Sequence, residues 1–308
     1  MSLKCSLGGW LAGALIAGAV FTPLWADPPS EVQIGTFNLE FFTDLDRSTG
    51  GWCESNNHRS LEEIRELAYF IDSLDIEVLA LQEVENEETM ELLLSQLPPD
   101  KYGYIFSHQS QPHTCQKIAV LYQRTEVSLS YRGEIRLSLG RFGLRDGLVV
   151  AGKFLPNGLD FTLVVVHLKA AFDPRSRGIR TRQLEVLGEW VEEYLAAPES
   201  DPDLILAGDF NEHLLSDPAA FGLLDQGAGL YLVTQDVPSR ICTPPGHRWT
   251  DPIDHIVISP ATEVAYLGTA VLDNFFTNAS LPGRWSYSDH CVLWGDFSSV
   301  DLDPPASP

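Results

Sequence analysis

The sequence predicts an α/β domain in which helices cover two β-sheets. Four apolar runs, at 32–38, 78–83, 161–167 and 204–209, have strand length and end in polar residues. Two of them, through Leu163-Val164-Val165-Val166 and Leu204-Ile205-Leu206-Ala207, are apolar at every position, as strands covered on both faces must be. Segments with helical apolar spacing alternate with such runs. With 308 residues, 44% of them hydrophobic and 20% charged, the chain has the material for one large core, which excludes intrinsic disorder and collagen-like sequence.

Residues 1–26 carry one charge, Lys4, then an apolar stretch from Leu11 to Phe21, then Thr22-Pro23-Leu24-Trp25-Ala26. That is the layout of a secretory signal peptide cleaved after Ala26, since an apolar core of about 11 residues falls short of the ~20 a spanning helix needs. The first strand candidate is Val32 to Asn38, and Thr43 to Asn57, rich in Asp, Gly and Asn, reads as a loop. Ser60 and Glu63 form a capping box ahead of Ile64, Leu67, Ala68, Ile71 and Leu74, which predicts a helix. A strand at Val78 to Glu83 and a short helix over Glu88 to Leu97 follow, then strands at Lys117 to Tyr122, Leu148 to Phe154 and Phe161 to His167. The longest helix is expected from Gly178 to Leu195, with Leu184, Leu187, Val191 and Leu195 as its buried stripe. Strands at Leu204 to Asp209, Ile253 to Ser259 and Cys291 to Phe297 complete a catalytic domain over residues 27–298, and 299–308 read as a flexible tail. A loose echo links residues 78–83 with 204–209, each an apolar strand finishing in a carboxylate.

Forty-three acids against 20 bases give a formal charge of −23, which argues against nonspecific coating of nucleic acid. An enzyme acting on phosphate esters remains open, because a bound divalent cation inverts the local sign where carboxylates converge. Signal cleavage would remove Lys4 and Cys5, taking the charge from −23 to −24 and leaving Cys53, Cys115, Cys242 and Cys291. An even count in an exported chain fits two disulfides, and spacing alone allows three pairings. No other segment is long and apolar enough to span a bilayer, so the mature protein is expected to be soluble, secreted or periplasmic, without stable membrane insertion. No oligomer interface is legible, and a monomer is expected.

Taken singly, the polar residues at the strand ends say little. Asn38 suits a turn, and Glu83, ahead of Glu85, Glu87 and Glu88, suits an acidic helix start. Gly208-Asp209-Phe210-Asn211 is stronger, because glycine lets backbone and carboxylate approach a ligand. His167 and His255 each fit a hydrogen-bonded core histidine. Asp254-His255 and Ser288-Asp289-His290 fit a metal pair, an imidazole orienter or a surface ion pair. Together these residues supply oxygen ligands for a hard cation, imidazoles near neutral pKa and amide donors for anionic oxygens.

Seven segments resemble, in order, the motifs of the endonuclease/exonuclease/phosphatase superfamily, which includes deoxyribonuclease I. They are Gly-Thr-Phe-Asn-Leu-Glu-Phe-Phe at 35–42, Leu-Ala-Leu-Gln-Glu-Val-Glu at 79–85, Arg-Asp-Gly-Leu at 145–148, Val-His-Leu-Lys at 166–169, Gly-Asp-Phe-Asn at 208–211, Ile-Asp-His-Ile at 253–256 and Ser-Asp-His at 288–290. The resemblance implies a deoxyribonuclease I-like, four-layer αββα sandwich with two central mixed β-sheets and metal-assisted hydrolysis of a phosphate ester. It implies a metal site at Asn38 and Glu83, with Asp289 contributing, for Mg2+ or alternatively Mn2+ or Ca2+. It casts Asp209 as the group that orients or deprotonates the attacking water, and Asn211 as a donor to the transition-state oxygens. His290, oriented by Asp254, resembles the family's pair at the scissile phosphate, and His167 the imidazole that donates to a phosphate oxygen or leaving group. Arg145 sits where the family has a phosphate-touching arginine, weighed against an ion pair with Asp146. Lys169 is weighed between phosphate contact and a solvated loop position.

Secreted bacterial members of the family resemble this chain in a cysteine before the Ile-Asp-His motif and one after Ser-Asp-His, which implies Cys242 with Cys291 and Cys53 with Cys115. The chain departs from them at Ala170-Ala171-Phe172, where a further cysteine often stands. The function expected is a secreted, metal-dependent nuclease acting on DNA or RNA. A lipid-headgroup or small-ester phosphodiesterase or phosphatase, sphingomyelinase-like, is the second expectation, with Asn274-Phe275-Phe276 and Arg284-Trp285-Ser286-Tyr287 as aromatic membrane contacts. A noncatalytic binding module is the third. Arg175, Arg177, Arg180 and Arg182 read as a groove wall or, preferably, as a helix's solvated face.

Overall fold

Alternation along the strands builds the layers. A computed structural model describes residues 31–43, 59–108, 116–156, 158–238, 251–273 and 288–302. In chain order its elements are β1 (Glu31–Phe42), α1 (Leu61–Leu74), β2 (Val78–Val84), α2 (Glu87–Leu94), β3 (Tyr102–Phe106), β4 (Lys117–Gln123), β5 (Val127–Ile135), β6 (Gly147–Phe154), β7 (Asp160–His167), α3 (Pro174–Ala196), β8 (Leu204–Asp209), α4 (Pro218–Asp225), β9 (Tyr231–Leu232), β10 (Asp254–Ile258), α5 (Pro260–Ala265), β11 (Tyr266–Asp273) and β12 (Val292–Ser298). They form two six-stranded mixed sheets, ordered β11-β12-β1-β2-β4-β3 and β5-β6-β7-β8-β10-β9.

Because side chains alternate with a period of two, each central strand feeds two cores. Val32, Ile34, Val78, Ala80, Leu163, Val165, Ile205, Ala207, Ile256 and Ile258 meet between the sheets. Their neighbours turn outward: Phe37, Leu79 and Leu81 pack under α1 and α2, and Val164, Val166, Leu204, Leu206 and Val257 pack under α3 and α4. Helix, sheet, sheet, helix is the four-layer order that the motifs imply.

The capping box predicted for α1 is present, with Ser60 Oγ accepting from Glu63 N at 3.2 Å and Glu63 Oε2 from Ser60 N at 2.6 Å. Helix α3 begins a turn earlier than predicted. Asp173 caps it by accepting from Arg175 N and Ser176 N, and Pro174 takes the first position, where its missing N–H costs nothing. Ser299, assigned to the tail by the sequence reading, is buried and its carbonyl accepts from Leu159 N at 2.8 Å. Cys291 is buried at the entry to β12 and disulfide-bonded; the other three cysteines of the expected pairs lie outside the described residues. So do residues 1–30, 44–58, 274–287 and 303–308, which contain the signal-like segment and both aromatic candidates.

Each sheet has one central parallel pair, β1 with β2 and β7 with β8, joined by α1 and α3 respectively. Gly208, at φ +148°, sits where β8 lies against β7; a Cβ there would meet the Val166 carbonyl oxygen at 2.0 Å. Gly208→Ala is expected to cost roughly 3 kcal/mol through strain and overlap with fixed backbone. The urea midpoint of unfolding measures it, and an unchanged midpoint contradicts the account.

Candidate active site

The polar residues at the strand ends inherit the direction of the rows they terminate. Residues 32 and 34 face the intersheet core, so Thr36 and Asn38 do too. The same parity turns His167, Asp209 and Asp254 inward at the ends of β7, β8 and β10. His255, of opposite parity, points outward against Phe210, with its Nε2 2.9 Å from the Glu212 carbonyl oxygen. Glu83 is the exception. Parity assigns the inward place to Gln82, which bonds Thr36. A left-handed residue (φ +63°) swings Glu83 back to the same mouth. The ends of β1, β2, β7 and β8 and the start of β10 thus converge from two sheets where the parallel pairs terminate, the usual position of a ligand crevice.

His255 stays neutral, because burial pushes its pKa down to about 4 from 6.5. The unfolded ring takes a proton first as pH falls, so stability is full above about 6.5 and drains by roughly 3 kcal/mol on descent to 4. His255→Gln is expected to flatten the slope of unfolding free energy over that interval, measured by urea titrations; an unchanged slope assigns the acid sensitivity elsewhere.

Asn38 is fully buried and ties the carboxylates together: its Nδ2 donates to Asp209 Oδ2 at 3.0 Å and Glu83 Oε1 at 3.3 Å, and its Oδ1 accepts from Glu40 N. Glu83 Oε2 accepts from Phe41 N at 2.9 Å. Asp209 accepts from Asn211 N and Asn211 Nδ2, at 2.8 and 2.9 Å. His290 Nδ1 lies 2.7 Å from Asp254 Oδ2, leaving its Nε2 directed toward Asp209 and Asp289, 3.9 and 3.7 Å away. Ser288 positions this segment by donating to the Asn38 carbonyl at 2.6 Å while accepting from His290 N.

A cavity of about 590 Å³ opens over these groups, and Glu40, Glu83, Arg145, Lys169, Asp209, Asn211, Asp254, Asp289 and His290 all line it. Asn38 and His167 do not; they stand behind the carboxylates. His167 Nε2 is 3.5 Å from both Glu83 Oε1 and Asp209 Oδ2, so the imidazole expected to donate to a phosphate oxygen or leaving group instead braces two carboxylates. Burial first, then Arg145 and His290, holds its pKa well below 6.5, and the neutral ring has one N–H to give. Arg145, 6% exposed, donates to Gln116 Oε1 at 3.0 Å, while its buried Nε has no protein partner. That places it at the cavity rather than on the surface.

Electrostatics make the site a cation holder. Burial raises the Asp209 carboxyl to about 7 against the pull of His290, with Asp254 and Glu83 adding to the rise. Burial likewise lifts Glu40 to about 7, followed by Asp289. On His290 burial acts downward, but Asp254, Asp209 and Asp289 outweigh it and hold the imidazole well above 6.5, hence charged. Six lining carboxylates, Glu40, Glu83, Asp209, Asp251, Asp254 and Asp289, face Arg145, Lys169 and His290. An anionic phosphate is repelled by that balance unless a divalent cation inverts it. The donor set fits one: Asp209, Asp254 and His290 group their polar atoms within 4.8 Å of one another, the two carboxylates supply the oxygens while the charged ring supplies none, and Asp254 Oδ1 is buried without a protein partner. Glu83 supplies a further carboxylate beside them, whereas the Asn38 oxygen is already engaged by Glu40 N.

Sequence reasoning missed Glu40, Phe41, Gln116, Phe142, Phe172 and Asp251 as lining residues. Glu40 and Phe41 reach the cavity through a register shift between Asn38 and Phe42, with φ of +45° and +50°. The excess residues between Asn38 and the apolar Phe42 are the one trace of it in the sequence. The arginine run divides as well. Arg180, expected on a groove wall or a solvated face, is fully buried, pairs with Glu212 Oε2 at 3.0 Å and donates to the Lys169 and Ala171 carbonyls, fixing the loop that carries Lys169.

A two-sheet sandwich with carboxylates, paired imidazole and arginine at one end defines a phosphoric ester hydrolase. The chain belongs to the endonuclease/exonuclease/phosphatase family, whose sequence profile matches residues 35–290. An endonuclease/exonuclease/phosphatase family protein of Bacteroides thetaiotaomicron superposes with a TM-score of 0.62 at 17% identity, covering 90% of this chain and 98% of its own. D. rerio TDP2 complexed with a single-strand DNA product gives 0.62 at 17% identity, over 87% and 99%. A mannosyl-6-phosphatase of Bacteroides thetaiotaomicron gives 0.60 at 17%, over 86% and 99%. No curated protein sequence matches the chain.

Proposed function

We propose that the protein is an exported, divalent-metal-dependent nuclease that hydrolyses phosphodiester bonds of DNA or RNA, acting as a monomer with Mg2+ (or Mn2+ or Ca2+) after loss of residues 1–26. The observation that carries hydrolysis is the Asp254–His290 pair at 2.7 Å, facing Asp209 and Glu83 in one cavity. A bound divalent ion supplies charge neutralisation for the phosphate and an acidified water. Glu83, Asp209 and Asp254 present the oxygens that would hold it. Asp209, anchored by Asn38 and Asn211, orients the attacking water. His290, charged and fixed by Asp254, aims Nε2–H at a phosphate oxygen or the leaving oxygen. Arg145, which also lines the cavity, adds a planar donor fork.

A polynucleotide is favoured over a small ester by the cavity's aromatic wall of Phe41, Phe142 and Phe172, on which bases can stack. The second reading, a phosphatase or lipid phosphodiesterase, draws on the same apolar lining and on the likeness to a mannosyl-6-phosphatase. Purified residues 27–308 are to be offered plasmid, linear DNA, RNA, sphingomyelin and phosphomonoesters with each metal and with EDTA. Nicking or shortening of nucleic acid that EDTA abolishes is the expected result. Turnover confined to lipid or monoester would replace the nuclease reading with the second.

A further inference from the structure

A second cavity, of about 950 Å³, adjoins the first and shares Phe142, Gly143 and Lys169 with it. Arg141, Lys169 and Arg175 bring three cations to its wall in a chain whose net charge is −23. Its one lining carboxylate, Asp173, is occupied as the cap of α3, accepting from Arg175 N and Ser176 N at 3.0 and 3.2 Å. Among the described residues none of the three cationic side chains has a carboxylate partner within salt-bridge distance, in contrast to Arg182, which pairs with Glu185 and Glu189. The sequence Arg141-Phe142-Gly143-Leu144-Arg145 therefore straddles two chambers. Arg145 belongs to the acidic chamber, Arg141 to the basic one, and Phe142, 70% exposed, stands on the boundary.

An acidic chamber built for a cation beside a basic chamber built for an anion is a mismatch for a single phosphate. It matches a substrate with two phosphates in series. We infer that the Arg141–Arg175 cavity holds the phosphate flanking the scissile one in a nucleic-acid strand, with Phe142 stacking the base between them and Lys169 bridging the two positions. The inference rests on the nuclease reading and adds to it a subsite that discriminates polynucleotide from isolated phosphodiester. Phosphate contacts of this kind set register and tolerate any sequence, so cleavage is expected to be sequence-indifferent next to the scissile bond.

The test is a comparison of kcat/KM for a single-stranded oligonucleotide and for bis(4-nitrophenyl) phosphate, which has no flanking phosphate, in wild type and in the Arg141→Gln, Arg175→Gln double variant. Both arginines are exposed, so folding is not at stake. The oligonucleotide-to-diester ratio is expected to fall at least about tenfold, as loss of charge-assisted hydrogen bonds predicts. The salt dependence of oligonucleotide KM should also become shallower, by about one unit of log–log slope. An unchanged ratio overturns the subsite while leaving the nuclease reading standing. A selective loss on sphingomyelin vesicles in place of the oligonucleotide overturns it in favour of a lipid headgroup. Failure of the wild type to cut any nucleic acid removes the nuclease reading, and the subsite with it.

Discussion

Glu83→Gln is expected to lower kcat/KM by about a thousandfold, the scale of losing one preorganised charge at a reacting phosphate. Size and hydrogen-bonding capacity are nearly kept: one oxygen can still accept from Phe41 N, as Oε2 does now. What disappears is the charge that faces Asn38 and His167 across 3.3 and 3.5 Å. The measurement has two parts. Titration calorimetry of Mn2+ should show weakened binding, and circular dichroism should show an unchanged melting profile or a slight gain, since a crowded carboxylate has been removed. Wild-type turnover in this variant would move the cation away from Glu83 altogether.

His290→Ala is expected to cost 10²- to 10⁴-fold, the range of a lost general acid or phosphate donor. Because Asp254 holds its Nδ1, Asp254→Asn should reproduce part of that loss by unfixing the ring and withdrawing the anion that keeps it charged. The two losses should not add, since both act through one imidazole. Measured in kcat/KM on bis(4-nitrophenyl) phosphate, the double variant is predicted to lose clearly less than the product of the two single losses, with any excess over His290→Ala alone coming from the Asp254 oxygen offered to the cation; full additivity would mean that Asp254 does not act through His290.

The eight central strands were legible because both faces are covered, so their apolar residues run without interruption through segments such as 163–166 and 204–207. The four strands the sequence hid are the four sheet edges, β3, β5, β9 and β11. On β5 the exposed Ser128, Ser130, Tyr131 and Arg132 erase the apolar run, and β9 is two residues long. Helices α4 and α5 are eight and six residues long, too short to show a period, although Asp217-Pro218 and Ser259-Pro260 marked their starts. At the site, Asn38, His167, Asp209 and Asp254 follow from strand parity alone. Glu83 does not, because its side of the strand depends on one left-handed residue that the side-chain alternation contradicts. Glu40 depends on the register shift near the end of β1, while Phe142 and Phe172 ride on connections whose placement is fixed by distant partners, such as Arg180 beneath the Lys169 loop, and no local pattern encodes that.

The two parallel strand pairs bear on how this enzyme must fail. Glu83 and Asn38 come from one sheet and His167, Asp209 and Asp254 from the other, and the apolar seam that includes Ile34, Ala80, Val165 and Ala207 keeps them face to face. Neither half can be excised with its chemistry intact. Warming or mild denaturant that lets the halves slide by an ångström should silence turnover while spectroscopic helix content is still whole, making catalysis a more sensitive thermometer of this seam than melting itself.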